Sequence, residues 1–456
     1  MRHTSITERS ESCRAKLRQI APFQLEGRIS SLSGLVIDID GLSGHVSIGD
    51  RVQLLARGGA AVAAEIVGFR RGVAQAMPFA ALDGLGPGSP ALFRTGQRFG
   101  AGGTFAVTDA WLGRVLDPLG RPLDGSGPLP AGTRPRPLRT SPPDATQRAR
   151  LGPRLDVGIR ALNCFATCRQ GQRLGLFAGS GIGKSSLLAM LARHTACDVA
   201  VLALVGERGR EVREFLEDDL GRAGLARSVV VIATSDAPPL LRREAAFAAM
   251  TIAEYFRDQG KSVLLLMDSV TRFCLALREI GLSSGEPPAT RGYPPSVFAE
   301  LPRLLERAGP GIERADAVAG SITALFSVLV EGDDHNEPVA DAVRGFLDGH
   351  VVLDRRIAEA GRYPAIDVLR SLSRAVPGCN IAEENALARR ARAILALYAD
   401  MADMVRLGAY RAGSDPTVDQ AVALAPRIEA MLCQGRDERT SIEQSFGALR
   451  AALEPT

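Results

Sequence analysis

The octapeptide Ala178-Gly-Ser-Gly-Ile-Gly-Lys-Ser185 carries the clearest chemistry in this sequence. Its alternating glycines let backbone N–H groups close around phosphate oxygens, because glycine adopts backbone conformations that other residues resist. The lysine adds a compact charge for the β- and γ-phosphates of a nucleotide, and the serine a hydroxyl ligand for Mg²⁺. Such a loop needs a strand before it and a helix after it. The apolar run 174–177 precedes it and the helical run 186–194 follows. The helix N-terminus then turns its positive end toward the anion. Alanine opens the octapeptide where the strict pattern has glycine; the looser pattern accepts it. The expected phosphate-binding set is therefore Ala178, Gly179, Ser180, Gly181, Ile182, Gly183, Lys184, Ser185 and Ser186.

Two acids complete the chemistry. The apolar run 263–267 ends in Asp268. A carboxylate at the tip of a buried strand, in this order after a phosphate loop, suits the Mg²⁺ shell of a nucleotide. The competing reading is a helix cap. The second acid lies in Gly206-Glu-Arg-Gly-Arg-Glu211, directly after the apolar run 199–205. Strand C-terminal ends are where open α/β sheets build their sites, so Glu207 is a candidate to polarise an attacking water. Arg208 would touch phosphate or orient Glu207. Spacing alone equally supports a solvated salt bridge.

These residues need a scaffold, and the chain changes texture three times. Residues 23–95 hold short apolar runs, among them 28–39, 45–48, 51–55 and 63–67, broken by Gly and Asp turns; this predicts a small barrel or sandwich. The Gly- and Pro-dense stretch 117–143 reads as an extended connector. From about residue 170, the runs 174–177, 199–205, 229–233 and 263–267 each precede a helical segment, and 321–330 and 350–353 add further strands. That alternation predicts a parallel sheet covered on both faces. After 379 the strands stop. Asn380 with Glu383, Asp415-Pro416, and Thr440 with Glu443 read as three helix starts.

Composition narrows the class. The 456 residues are 46% apolar and 23% charged, with a net charge of +4. This excludes a disordered chain, a disulfide scaffold and a dedicated nucleic-acid binder. The seven cysteines are scattered without zinc-site spacing, which predicts reduced thiols. No apolar run approaches the ~18 residues of a bilayer span, and no secretory leader is evident; a soluble, cytoplasmic protein is expected. Only Lys16, Lys184 and Lys261 are lysines, against 52 arginines. One of the three therefore sits in the phosphate loop, where arginine's broad planar fork is no substitute for a compact ammonium.

The set 177–185, Gly206-Glu-Arg-Gly-Arg-Glu211, 264–273, 285–309 and 321–334 resembles the catalytic ATPases of the rotary F1/V1-type and type III secretion group. Within that group, Gly285-Glu-Pro-Pro-Ala-Thr-Arg-Gly-Tyr-Pro-Pro-Ser-Val-Phe298, Val330-Glu-Gly-Asp-Asp334 and Tyr363-Pro-Ala-Ile-Asp-Val-Leu369 resemble the flagellar type III export ATPases. The similarity runs over roughly 22–456. It implies an α/β fold: an N-terminal β-barrel at 23–95, a RecA-like phosphate-loop core at 96–378 and a C-terminal helical domain at 379–456. It also implies an amphipathic regulator-binding segment at 1–22, where Ile6, Cys13, Leu17 and Ile20 stand at helix-compatible spacing.

The resemblance also assigns roles. Glu207 falls on the family's catalytic glutamate, Arg272 on a phosphate-proximal arginine and Tyr363 on the adenine-stacking aromatic. Ser371-Leu-Ser-Arg374 falls on an arginine finger that reaches the next subunit's site. Ser186 stands where Thr is usual, and Cys274 where a small residue is common. The implied activity is Mg²⁺-dependent ATP hydrolysis by a homohexamer. The implied partners are a stator-like negative regulator dimer, a coiled-coil stalk protein in the ring pore, a membrane export gate, and export chaperones with their substrates; nucleic acid is not among them. The implied place is the cytoplasmic face of the inner membrane at the flagellar base. A virulence-type secretion ATPase and the catalytic subunit of a rotary ATP synthase are the alternatives. The second would need a dissimilar partner subunit, whereas this chain carries both Glu207 and Arg374.

Overall fold

The computed structural model describes residues 24–94, 103–313, 319–330 and 337–454. The expected regulator segment at 1–22 and the 331–334 motif lie outside the described residues.

Six strands form a closed barrel: β1 (Gln24–Ser33), β2 (Val36–Asp40), β3 (Arg51–Leu55), β4 (Ala61–Arg70), β5 (Val73–Pro78) and β6 (Pro90–Arg94), in the order β1-β2-β5-β4-β3-β6. Period-two alternation sends Ile37 and Ile39, Val52 and Leu54, Ala64 and Ile66, and Ala74 and Ala76 into one core. The expected strand at 45–48 is a turn instead. Gly41 and Gly49 take positive φ on either side of it, His45 N–H donates to Leu42 O, and Ser47 N–H donates to Asp50.

The core sheet contains β7 (Val115–Leu116), β8 (Arg173–Ala178), β9 (Val199–Glu207), β10 (Ser228–Thr234), β11 (Ser262–Asp268), β12 (Ser321–Leu329), β13 (Gly349–Leu353) and β14 (Ile366–Ser373). Their order is β14-β13-β8-β12-β11-β9-β10-β7; a further strand, Gly309–Pro310, pairs with β12 off this path. Neighbours from β13 to β7 run parallel, and β14 returns antiparallel to β13. Parallel strands are buried on both faces, so their apolar runs serve two cores by alternation. Ala200, Leu202 and Leu204 of β9 pack with helix α1 (Lys184–His194) and the C-terminal helices. Val199, Val201, Ala203 and Val205 face α2 (Pro239–Arg257) and α3 (Val270–Ser283).

The chain ends in helices α4 (Ala382–Arg406), α5 (Pro416–Leu432) and α6 (Ile442–Leu453). Asp415 caps α5 as expected, accepting from the N–H groups of Thr417 and Val418. The other two starts shift by one residue. At α4 the side chain that reaches back is Glu384, which accepts from Ile381 N–H at 3.1 Å. At α6 the reciprocal pair is Ser441 with Gln444. Core contacts claim the expected caps. Asn380 donates to Thr167 Oγ1, and Thr440 O accepts from the Asn163 amide.

Barrel and core are joined by Met77 and Phe79 against Leu240 and Ile280, and by a buried ionic cluster. Arg243 of α2 reaches Glu65 of β4 at 2.6 Å and Glu244 at 2.8 Å. Arg139 and Arg51 add contacts at 3.3 Å. Removing one member of a buried cluster strands the opposite charge. Arg243→Met is therefore expected to lower the unfolding free energy by about 3–5 kcal/mol, measured from the denaturant midpoint. A change within about 0.5 kcal/mol, as for surface substitutions, would mean that Arg139 and Arg51 satisfy both carboxylates.

Among the described residues no helix is long and apolar enough to cross a membrane. Cys164, Cys168, Cys197, Cys274, Cys379 and Cys433 are free thiols, and burial pushes Cys168 up to about 12.

Candidate active site

The phosphate loop joins β8 to α1. Gly181 and Gly183 both take positive φ, at 77° and 89°, which an L side chain resists. Gly183 has a second constraint: a Cβ there would stand 3.3 Å from the Tyr363 ring. From the β13–β14 side, Arg355 Nη2 donates to Ser180 O at 3.0 Å and braces the exposed tip of the loop. Arg355 was not legible from sequence, where it is one arginine among 52.

Parallel pairing puts the tips of β8, β9, β11 and β12 at one end of the sheet, and the charged residues converge there. Lys184 Nζ is paired with Asp268 Oδ1 and lies 3.7 Å from Glu207 Oε1. Ser327 of β12 donates to the same Asp268 oxygen at 2.6 Å. Arg272, on the first turn of α3, reaches Glu207 Oε2 at 3.3 Å and also donates to Gly206 O. Glu207 Oε1 is buried and accepts no hydrogen bond. Burial, and then the charge of Asp268, raise the Glu207 pKa above the ordinary glutamate value; Lys184 and Arg272 oppose the shift. A buried carboxylate with one oxygen clamped and the other without a hydrogen bond keeps a free acceptor for a bound water.

The structure thus brings Lys184, Glu207, Asp268 and Arg272 into one cluster, with Ser185 next to Lys184 in the first turn of α1. It does not bring in Arg208. That side chain is exposed and pairs with Glu211 at 3.1 Å, the solvated salt bridge that spacing left open. Arg374 also stands apart. Its backbone N–H donates to Asp348 O at 2.8 Å, while its exposed side chain has no hydrogen bond or ion pair among the described residues.

Tyr363 is 46% exposed and lines a cavity of about 490 Å³ with Gly181, Gly183, Ser186, Leu187 and Met190. The opposite wall is the turn after α5, Cys433, Gln434, Gly435 and Arg436. Gln434 N–H donates to Tyr363 O at 2.8 Å, and its amide bonds Gly158 O and Arg160 N–H. Arg193 of α1 holds Asp437 and Arg436 O at 2.6 and 2.7 Å. This wall carries no sequence signal. It lies about 250 residues from the phosphate loop and acts through backbone and shape. The cavity has the stacking face and the position for a nucleotide base.

Comparison with known proteins places the chain in a family. Residues 158–373 match the nucleotide-binding domain of the ATP synthase alpha/beta family, and residues 381–451 match the T3SS EscN ATPase C-terminal domain. The flagellum-specific ATP synthase of Caulobacter vibrioides is 52% identical over 441 residues, 96% of this chain and 98% of that protein. Among solved structures, the assembled ATPase EscN from the enteropathogenic E. coli type III secretion system superposes with a TM-score of 0.85 at 40% identity. That match covers 94% of this chain and 100% of the other. EscN in complex with its central stalk EscO gives 0.83 at 39% identity, with the same coverage.

Proposed function

The chain belongs to the flagellum-specific ATP synthase family, and from that premise we propose that it is the ATP hydrolase of the flagellar type III protein export apparatus. It energises delivery of flagellar proteins and their chaperone complexes to a membrane export gate. The observation that carries the hydrolase reading is Glu207. It is buried, clamped by Arg272 on one oxygen and without a hydrogen bond on the other, beside the lysine of a phosphate loop. A nucleotide-gated assembly protein without turnover has no use for that acid. A virulence-type secretion ATPase is the second reading, favoured by the likeness to EscN; the 52% identity to a flagellar relative favours the first.

The oxygen donors Ser185 and Asp268, beside the orphaned Glu207 oxygen, suit a hard cation. Ser185 would bind Mg²⁺ directly and Asp268 through water. Bound with the nucleotide, Mg²⁺ polarises the β- and γ-phosphate oxygens. Lys184 exchanges its carboxylate partners for these oxygens, while the loop amides 179–185 and the N-terminus of α1 share the charge. Glu207 accepts a hydrogen bond from the attacking water and orients it for in-line displacement. Arg272 holds the carboxylate against rotation, and Tyr363 stacks on the adenine. Arg208, displayed on the surface one residue from Glu207, is assigned to phosphate only in the assembled ring. Arg374 of a neighbouring subunit neutralises charge developing in the transition state.

Each site then needs two chains, which we read as a homohexamer, as the assembled state of EscN supports. By the same likeness a stalk protein occupies the pore. Residues 1–22 are assigned to a dimeric negative regulator, 23–95 to the barrel, 96–378 to the ATPase core and 379–456 to the helical domain, with chaperones and gate proteins as further partners. The protein would work at the cytoplasmic face of the membrane. Specific activity is expected to rise steeply with protein concentration, read by phosphate release across the range in which the sedimentation coefficient changes. A flat specific activity down to the monomer sinks the two-chain site.

A further inference from the structure

Strand β12 reads Ser-Ile-Thr-Ala-Leu-Phe-Ser-Val-Leu and lies between the phosphate-loop strand β8 and the Asp268 strand β11. Its Ser327 has no exposed surface. Alanine or valine would fill such a position without a hydroxyl to satisfy, so the polar group calls for a reason. Its partner is Asp268, whose Oδ1 accepts from Ser327 Oγ at 2.6 Å and pairs with Lys184.

The placement is set by register. Leu325 of β12 and Leu264 and Leu266 of β11 pack on the sheet face that carries α1, whereas Phe326 and Val328 pack on the other. By alternation, Ser327 and Asp268 both emerge on the phosphate-loop side. Met267 is level with Phe326, so the next residues, Asp268 and Ser327, are neighbours across the two strands. A one-residue slip would send the hydroxyl to the opposite face. A second tie holds that register. Thr271 Oγ1, three residues past Asp268, accepts from Leu329 N–H at 2.9 Å.

In the hydrolase reading, on which this inference rests, Lys184 turns to the phosphates when nucleotide binds. Asp268 Oδ1 then gives up its ammonium partner, and among the described residues Ser327 is the side-chain donor left to keep the carboxylate from rotating. We propose that Ser327 is a positioning residue that fixes Asp268 through Oδ1, so that Oδ2 is presented to the water shell of the metal accompanying the nucleotide. It touches neither metal nor substrate.

Ser327→Thr and Ser327→Val have near-equal volume and differ in the hydroxyl. The measurement is binding of a fluorescent ATP analogue to the full chain, in excess EDTA and across a Mg²⁺ titration. Removing the outer partner of a metal-site ligand typically weakens metal affinity 10–100-fold. Ser327→Val is expected to raise the half-saturating Mg²⁺ concentration by about tenfold, with binding in EDTA unchanged. Ser327→Thr should keep the parent's Mg²⁺ dependence. Ser327→Ala, which fits the strand without crowding, should behave as Ser327→Val and serves if the larger residue prevents folding. A parent-like Mg²⁺ dependence in the hydroxyl-free variants overturns the proposal. So does a parallel loss of binding in EDTA, which would make the hydroxyl a general packing element. A parent chain that binds the analogue equally with and without Mg²⁺ would overturn the hydrolase reading as well.

Discussion

Arg374→Ala is expected to bind ATP and assemble like the parent but to turn over about 10³–10⁵-fold more slowly, the range typical of a trans arginine. The main chain at this position is held firmly. Ser373 Oγ donates to Thr167 O and accepts from the buried Gln172 amide, and Arg374 N–H donates to Asp348 O. Asp348 is in turn anchored by the backbone and guanidinium of Arg173. A guanidinium on a rigid base, without a partner among the described residues and flanked by the exposed apolar side chains of Leu369 and Leu372, fits a group that works across an interface. Loss of nucleotide binding in the variant would instead assign Arg374 a structural role. Mixing Arg374→Ala with Glu207→Gln separates cis from trans action. An interface that pairs the intact Glu207 of the first with the intact Arg374 of the second is complete, so partial activity should return when subunits exchange. A mixture as dead as its components sinks the trans assignment.

Glu207→Gln is the second large effect. It should bind Mg²⁺-ATP with parent-like affinity while turnover falls by about 10²–10⁴-fold, the usual worth of a positioned general base. The amide keeps the volume and a hydrogen-bond acceptor but cannot take a proton. The pH profile gives a sharper signature. Burial and the neighbouring Asp268 charge raise the Glu207 pKa, and only the ionised carboxylate acts as a base. Parent activity should therefore rise with pH through a value above the ordinary glutamate range and fall away below it. The residual activity of Glu207→Gln should lack that acidic limb. An unchanged limb in the variant would assign it to another group.

How much of the site could be read in advance depends on how local each signal is. The loop 178–186 is shaped by consecutive backbone groups, so glycine spacing announces it; Gly181 and Gly183 take the positive φ that the spacing requires. The acids at 207 and 268 are announced by the apolar runs they end, because a buried parallel strand must be apolar until it reaches the sheet's edge. The helix starts show where such reasoning fails by a residue. Asn380 and Thr440 are good caps in isolation, but the core engages the Asn380 amide and the Thr440 carbonyl, and Glu384 and the Ser441–Gln444 pair supply the helix ends instead.

By itself, the sequence determined where the phosphate-loop pattern lies, which lysine it contains and which strand ends carry the acids. Each of these rests on contiguous chain geometry. Only the tertiary structure decided that the turn 433–436 closes the cavity beside Tyr363, that Arg355 braces the loop and that Ser327 bonds Asp268. It also separated Arg272, which joins Glu207, from Arg208, which faces solvent. These are pairings between distant segments, selected by strand order and register, and neighbours in sequence carry no record of them.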